Sequence, residues 1–353
     1  MRVLHVDTAD GWRGGQNQVL LTASGMAERG HQVALACRAG GFLESRARAA
    51  GVDAHGFAFR GDWSPTAAAG LARLAARFRP DVLHAHDPHA LAASLAVVGT
   101  PRIASRRVDF AIRGFASRWK YARCERVIAV SGAVAAVLRH GGLRPERVRV
   151  VYEGVPDRPA VPGGHDLLRA LGVPSDALVV GTVAALTGHK DHGTLLSAVV
   201  SVARRVPSAW FVMVGDGERR DALVALATAL GVQERVVFTG FREDLDALIP
   251  AFDVFCLSSK MEGLGTSVLD AMCFARPVVA TAAGGIPEAV DDGVTGRVVP
   301  VQDPDALASA LIAVLSDRAE RERLGASGRS RFESRFSATR MVDATLSVYE
   351  ELR

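Results

Sequence analysis

The sequence predicts an α/β protein of two Rossmann-like, doubly wound parallel sheets facing a central cleft, and three observations carry that expectation. The chain has 353 residues, beyond the size at which a single core usually keeps growing. Short apolar runs alternate with segments of helical periodicity in both halves, the pattern of parallel strands joined by crossover helices. Between the halves, residues 152–164 carry Pro156, Pro159, Pro162, Gly163 and Gly164 without periodicity, which reads as an interdomain linker. The first domain is expected over residues 1–160 and the second over residues 161–335.

In the first half, residues 2–7 read as a strand that breaks into Gly11-Trp12-Arg13-Gly14-Gly15. Val19, Leu20, Ala23, Met26 and Ala27 then recur at helical spacing. Paired glycines at Gly14 and Gly15 let a backbone approach a ligand and aim N–H groups at it, although a tight turn in any α/β domain gives the same pattern. Strands follow at residues 32–37, 54–59 and 81–85, with helices at 42–50 and 65–78. Ligands of such sheets sit beyond the carboxyl ends of the strands. His84-Ala85-His86-Asp87 occupies one such end, where a lone histidine is more often structural than catalytic.

Residues 102–126 hold Arg102, Arg106, Arg107, Arg113, Arg118, Lys120, Arg123 and Arg126 against Asp109 and Glu125. Phe110, Ile112, Phe115, Trp119 and Tyr121 are interleaved with them. A solvated helix face accounts for most of these residues; the alternative is a surface for an anionic membrane or a phosphorylated acceptor. Residues 127–131 then read as a strand.

The second half repeats the alternation, with strands at 178–184, 210–215, 236–239 and 254–258 and helices at 193–205 and 219–229. After the strand at 254–258 comes a turn with one carboxylate, Glu262, and a glycine-initiated helix bearing a second, Asp270. The first turn of that helix exposes free backbone N–H groups, which makes it an anion site. Gly215-Asp216-Gly217 lacks the third glycine of a dinucleotide fingerprint. At the C-terminus Met341, Ala344, Thr345, Val348 and Leu352 return at helical spacing after a break at Phe336-Ser337.

The formal charge of +4 is small for this length and does not indicate a nucleic-acid partner. Cys37, Cys124, Cys256 and Cys273 lie far apart, without metal-ligand spacing, and read as buried thiols of a reducing compartment. Asp7 falls where a secretion signal would carry its apolar core, and no apolar run approaches the length of a membrane span. A cytoplasmic place is the expectation, with the inner membrane face as a peripheral alternative.

The stretch from Ser258 to Met272 resembles the Glu-x7-Glu signature of the retaining family 4 glycosyltransferases, whose architecture is GT-B. Other segments are similar to that family as well: Arg29-Gly30-His31-Gln32-Val33, Gly215-Asp216-Gly217, Thr239-Gly240-Phe241-Arg242, Ala283-Gly284-Gly285-Ile286-Pro287-Glu288 and Asp292-Gly293-Val294-Thr295-Gly296. The likeness runs with gaps to about residue 320. The loop from Gly181 to Lys190 resembles the family's phosphate loop, Arg-Leu-x-x-x-Lys, with Lys190 on the lysine and Ala185 on the arginine. Asp270 stands where the family usually has glutamate.

The resemblance implies a glycosyltransferase that passes a hexose, with retention, from a nucleoside-diphosphate sugar to a hydroxyl of a cell-envelope, polysaccharide or lipid-linked acceptor. It implies that Glu262 meets the sugar and Asp270 the ribose. Lys190 and the N–H groups of Gly263, Leu264, Gly265 and Thr266 would hold the diphosphate. Gly215 would lie beside the nucleotide, and Phe241 and Arg242 would border the base. His86, with Gly14 and Gly15, would close over the sugar; His86, Lys190 and Glu262 are the expected catalytic set. A closing helix at about residues 336–353 would cross back onto the first domain. No cofactor beyond the donor sugar is expected, and no metal. A nucleotide-sugar epimerase of the same architecture and a non-catalytic nucleotide-sugar-binding relative are the alternatives.

Overall fold

The computed structural model describes residues 1–59, 64–112 and 114–352. The chain forms two compact units, Met1–Pro156 with Ser337–Arg353, and Asp157–Phe336.

The first unit runs β1 (Arg2–Val6), α1 (Gly14–Glu28), β2 (Gln32–Arg38), α2 (Phe42–Ala49), β3 (Asp53–Phe57), α3 (Pro65–Phe78), β4 (Val82–Ala85), α4 (Pro88–Ser94), β5 (Arg102–Arg106), α5 (Phe115–Ala122), β6 (Arg126–Ala129), α6 (Gly132–His140) and β7 (Val148–Val150). Its seven strands are all parallel, in the order β3-β2-β1-β4-β5-β6-β7. Strand order therefore reverses between β1 and β4, which leaves a crevice at their carboxyl ends. Val3, Leu4 and Val6 of β1 are fully buried, as expected for a strand covered on both faces.

The second unit runs α7 (Gly164–Ala170), β8 (Leu178–Val183), α8 (His192–Arg205), β9 (Ala209–Val214), α9 (Arg220–Ala229), β10 (Val236–Gly240), α10 (Leu245–Leu248), β11 (Val254–Leu257), α11 (Thr266–Cys273), β12 (Val278–Thr281), α12 (Ile286–Ala289), β13 (Gly296–Val299), α13 (Pro304–Ser316) and α14 (Arg318–Arg335). Its six parallel strands follow the order β10-β9-β8-β11-β12-β13. Here the switch lies between β8 and β11.

The last helix, α15 (Ala338–Glu350), is capped by Ser337, whose hydroxyl accepts from the Arg340 N–H. It packs on α1 of the first unit, with Arg29 paired to Asp343 at 2.8 Å. The first unit ends at Pro156 rather than at residue 160. Arg158 belongs to the second unit because its guanidinium is held there by Asp270 and Asp246.

The basic segment is not one solvated helix face. Arg102 and Arg106 lie in β5 and are buried. Arg102 donates to the carbonyls of Ser94 and Val97 at 2.9 and 2.8 Å, and Arg106 to that of Phe110 at 2.6 Å. Guanidinium donors that meet backbone carbonyls explain how these charges sit inside. Arg118 and Arg123 of the same segment are exposed, beside the exposed Phe110, Phe115 and Trp119. Arg113 lies outside the described residues. All four cysteines are free and buried, and burial pushes Cys37, Cys124 and Cys256 up to about 12. No helix among the described residues is long and apolar enough to cross a membrane.

Candidate functional site

In the second unit the loops after β8 and β11 flank the switch point and are bonded to each other. The Ser258 hydroxyl donates to the carbonyls of Lys190 and Asp191 at 3.2 and 3.1 Å, and the Lys260 N–H to that of His189 at 2.9 Å. This stitching places Lys190, the last residue of a short 3-10 turn, against the loop that carries Glu262. The Lys190 ammonium reaches Glu262 Oε1 at 2.5 Å, and the Ser259 hydroxyl donates to the same oxygen at 2.6 Å. Both ends of the pair are mostly buried, so the charges face a medium that strengthens their interaction.

Beyond Glu262 the chain turns into α11. The helix begins at Thr266, three residues later than Gly263, and its N-cap is Gly265 with φ 86°. Glycine is required there twice over: the backbone is left-handed, and an added Cβ would lie 2.6 Å from Ile286 Cδ1. No side chain caps the helix, so its first N–H groups remain for a ligand. Leu264 is fully buried, which leaves it only backbone to offer.

Asp270, one turn further along α11, is ion-paired to Arg158, which also reaches Asp246 at 3.1 Å. Burial raises the Asp270 carboxyl to about 6 against the opposing pull of Arg158. The carboxylate assigned to the ribose is thus already engaged by a residue of the linker. Linker composition gave no sign of this, because it reports flexibility and not partners.

Gly215 (φ 138°) closes β9, and its N–H donates to the carbonyl of Gly240 at 2.9 Å. Phe241 follows β10 with 63% of its surface exposed, a free aromatic face, whereas Arg242 is paired to Asp244 at 2.8 Å.

In the first unit, Gly14 and Gly15 form the first turn of α1 rather than a loop, after Arg13 as an N-cap without a side-chain bond. His86 is not an open strand-end side chain. It is buried with His5 and His84, ring against ring, its centroid 4.0 Å from that of His84 and 5.1 Å from that of His5. Adjacency is built in: β1 and β4 pair His5 with His84, and His86 lies two residues on, on the same face.

The donors dictate the tautomers. Arg107 donates to His86 Nδ1 at 3.2 Å, and a guanidinium has no acceptor to offer. His86 therefore carries its proton on Nε2 and donates it to His5 Nδ1 at 2.8 Å. His5 in turn holds its proton on Nε2, which has no partner among the described residues. His84 bonds the hydroxyls of Tyr349 and Ser105 at 2.5 and 2.7 Å. Burial is the main cause that pushes all three imidazoles down, His5 to about 3 and His84 and His86 well below their ordinary value.

The three rings come within 4.8 Å of one another at their nitrogens, yet the donor set does not suit a cation. His86 has no uncommitted lone pair, and the Arg107 charge stands beside it. Arg107 is fixed by Glu153 at 3.1 Å. Asp7, at the end of β1, is buried, and its carboxyl is raised to about 6 by burial and then by Asp87. Sequence alone does not single out His5, Glu153 or Arg158, and places Arg107 only within a basic run, because each acts through a partner distant in the chain.

The family described as Glycosyl transferases group 1 matches residues 166–331, and that described as Glycosyltransferase Family 4 matches residues 12–158. The chain is 33% identical over 275 residues to the lipopolysaccharide core biosynthesis glycosyltransferase LpsE of Rhizobium meliloti, covering 78% of this chain and 77% of that protein. It is 32% identical over 293 residues to the 2-deoxystreptamine N-acetyl-D-glucosaminyltransferase of Streptomyces fradiae, covering 74% of this chain and 68% of that one. Among solved structures it resembles Anabaena HepE in complex with UDP and glucose, with TM-score 0.88 and 22% identity over 99% of this chain and 100% of that one. It also resembles sucrose-phosphate synthase from Thermosynechococcus elongatus, with TM-score 0.84 and 19% identity over 99% and 98% of the two chains. The two parallel sheets have the GT-B architecture of these neighbours, and the chain belongs to the group 1, family 4 glycosyltransferases.

Proposed function

We propose that this glycosyltransferase transfers a hexose, with retention, from a nucleoside-diphosphate sugar to a hydroxyl of a cell-envelope, polysaccharide or lipid-linked acceptor. The observation that carries the reading is the Lys190–Glu262 pair beside the uncapped start of α11. Diphosphate would lie on the α11 N–H groups and Lys190. Glu262 would accept hydroxyls of the sugar and offset positive charge developing at the anomeric carbon. Asp270 would meet the ribose diol with Arg158 as its fixed partner, and Gly215, Phe241 and Arg242 would border the nucleotide. In the first unit Gly14 and Gly15 would offer backbone to the sugar. His86 would contribute as a neutral, tautomer-locked ring, because both its nitrogens are engaged.

UDP in the HepE complex and lipopolysaccharide core in the name of LpsE support a uridine nucleotide and an envelope acceptor as the first choices to try. The reading includes a reaction without divalent metal, since cationic side chains and helix N–H groups can meet the leaving charge. It includes a cytoplasmic place, supported by four buried thiols, and an anionic acceptor or membrane surface at Arg118, Arg123, Phe115 and Trp119. Salt-dependent binding to anionic vesicles checks that surface.

The deciding experiment screens nucleotide sugars by thermal shift, then incubates the stabilising donor with envelope acceptors in excess chelator and determines the anomeric configuration of the product. Retained configuration in chelator supports the reading. An inverted product rejects retention, activity restored only by Mg²⁺ or Mn²⁺ rejects the metal-free scheme, and donor turnover without an acceptor product favours an epimerase.

A further inference from the structure

The charge balance at the proposed diphosphate site is incomplete. Lys190 is largely neutralised by Glu262, Ala185 brings no charge, and a helix start supplies only about half a positive charge. A departing diphosphate carries more than these can offset.

A second cation is held against the same loop from the end of β9. Three backbone hydrogen bonds lace the 184–188 loop to the 214–219 turn: Ala184 N–H to Val214 O, Leu186 N–H to Asp216 O and Arg219 N–H to Leu186 O, each 3.0 Å. Gly215 and Gly217 make that contact possible, since a Cβ on them would fall 2.0 Å from the Ala184 carbonyl oxygen and 2.6 Å from that of Leu186. Arg219 is thereby anchored through its backbone, and its guanidinium lies over Gly188, with Nη1 3.9 Å from where a Cβ would stand. Gly188 opens the same 3-10 turn that Lys190 ends, and it has no side chain to screen one cation from the other. Arg219 is exposed and has no side-chain partner among the described residues, in contrast to Arg242 and Arg158, which are committed to aspartates.

We infer that Arg219 is a diphosphate contact of the donor site and supplies, from the turn after β9, the cation that position 185 lacks. The inference rests on the proposed function and deepens it. Its chemistry is electrostatic: the guanidinium forms charge-assisted hydrogen bonds to phosphate oxygens as the bond to the anomeric carbon breaks and its electron pair goes to the diphosphate.

Calorimetry with UDP, GDP and the corresponding nucleosides tests it on the full chain. Arg219→Ala is expected to weaken the diphosphate that binds wild type by about tenfold and to leave nucleoside binding unchanged. Adding Ala185→Arg to Arg219→Ala is expected to restore most of the loss, whereas Arg205→Ala, at the far end of α8, changes nothing. Wild-type affinity for the diphosphate in Arg219→Ala overturns the inference and leaves the proposed function standing. An equal loss for nucleoside and diphosphate also overturns it, because the residue would then act through the fold. Failure of wild type to bind any nucleoside diphosphate overturns the proposed function itself, and this inference with it.

Discussion

Glu262 is only 9% exposed and shares one carboxylate oxygen with Lys190 and Ser259. Its charge is held in place rather than solvated, so in the proposed reaction the cost of orienting it would already have been met in folding. Glu262→Gln keeps the volume, removes the charge and presents an amide to the ammonium. Turnover is expected to fall by more than about a hundredfold, on the order of 3 kcal/mol, with a smaller loss of nucleotide affinity. Steady-state kinetics and calorimetry together check this; near-normal turnover would reject the role. Lys190 has the complementary position. Removing it would leave Glu262 buried without its cation, so its loss is expected to disturb carboxylate orientation and, on the proposed function, the charge that meets the donor.

Two elements are arranged so that one residue decides their behaviour. The start of α11 depends on Gly265, whose left-handed φ of 86° and closeness to Ile286 exclude a side chain. Gly265→Ala is expected to cost about 1–2 kcal/mol and to weaken nucleotide binding, because the N–H groups that follow lose their direction. Denaturant titration with and without nucleotide reads both effects, and unchanged values would show that the turn tolerates a Cβ.

Where β1, β4, β5 and α15 meet, the histidine network makes the first unit sensitive to acid. His5, held at about 3, and His84 and His86, held well below their ordinary 6.5, bind fewer protons folded than unfolded. Their contribution is therefore present above about pH 6.5 and is lost as pH falls below it toward the folded values. His192, at about 4, acts in the same sense in the second unit. Asp7 and Asp270, both raised to about 6, act oppositely, since protonating them favours the folded state between about pH 6 and their ordinary 3.8. Because four lowered histidines oppose two raised carboxyls, the loss is expected to set in near pH 6.5 and to continue as pH falls, offset only in part by the carboxyls. His84→Asn can still bond Tyr349 or Ser105 but cannot titrate. Urea midpoints measured from pH 7.5 to 5.5 should fall less steeply for that variant, and an identical slope would reject the linkage.

At the scale of the molecule, the chain leaves the first unit at Pro156 and returns at Ser337. The two passages run side by side, with the Ala338 N–H donating to the Val155 carbonyl at 2.8 Å. Helix α15 then buries Met341, Val342, Val348 and the whole of Tyr349. At about 1.5–3 kcal/mol for each large apolar side chain, their loss is comparable with the whole stability of a domain. Truncation before Ser337 is therefore expected to abolish cooperative unfolding of the first unit while the second keeps its transition. Hydrogen exchange resolved by segment checks this; protected amides in β1 and β4 of the truncated chain would reject it.

The sequence by itself determined the alternation of strands and helices, as in the helix at Pro65–Phe78, and the loops that carry Lys190 and Glu262. Both are written locally, in periodicity, in glycine and proline placement and in motif spacing. Only the tertiary structure decided what each charge meets. Arg102 and Arg106 looked solvated in a basic run but are buried and end on backbone carbonyls near β5. His86 looked open at a strand end but is closed between His5 and Arg107. Asp270 looked free on a helix until Arg158, 112 residues away, reached it, and Arg219 came to lie over Gly188 only because β8 and β9 are neighbours in the sheet. Periodicity reports which face of an element is buried; the identity of a polar partner depends on strand order and register, which no local pattern encodes.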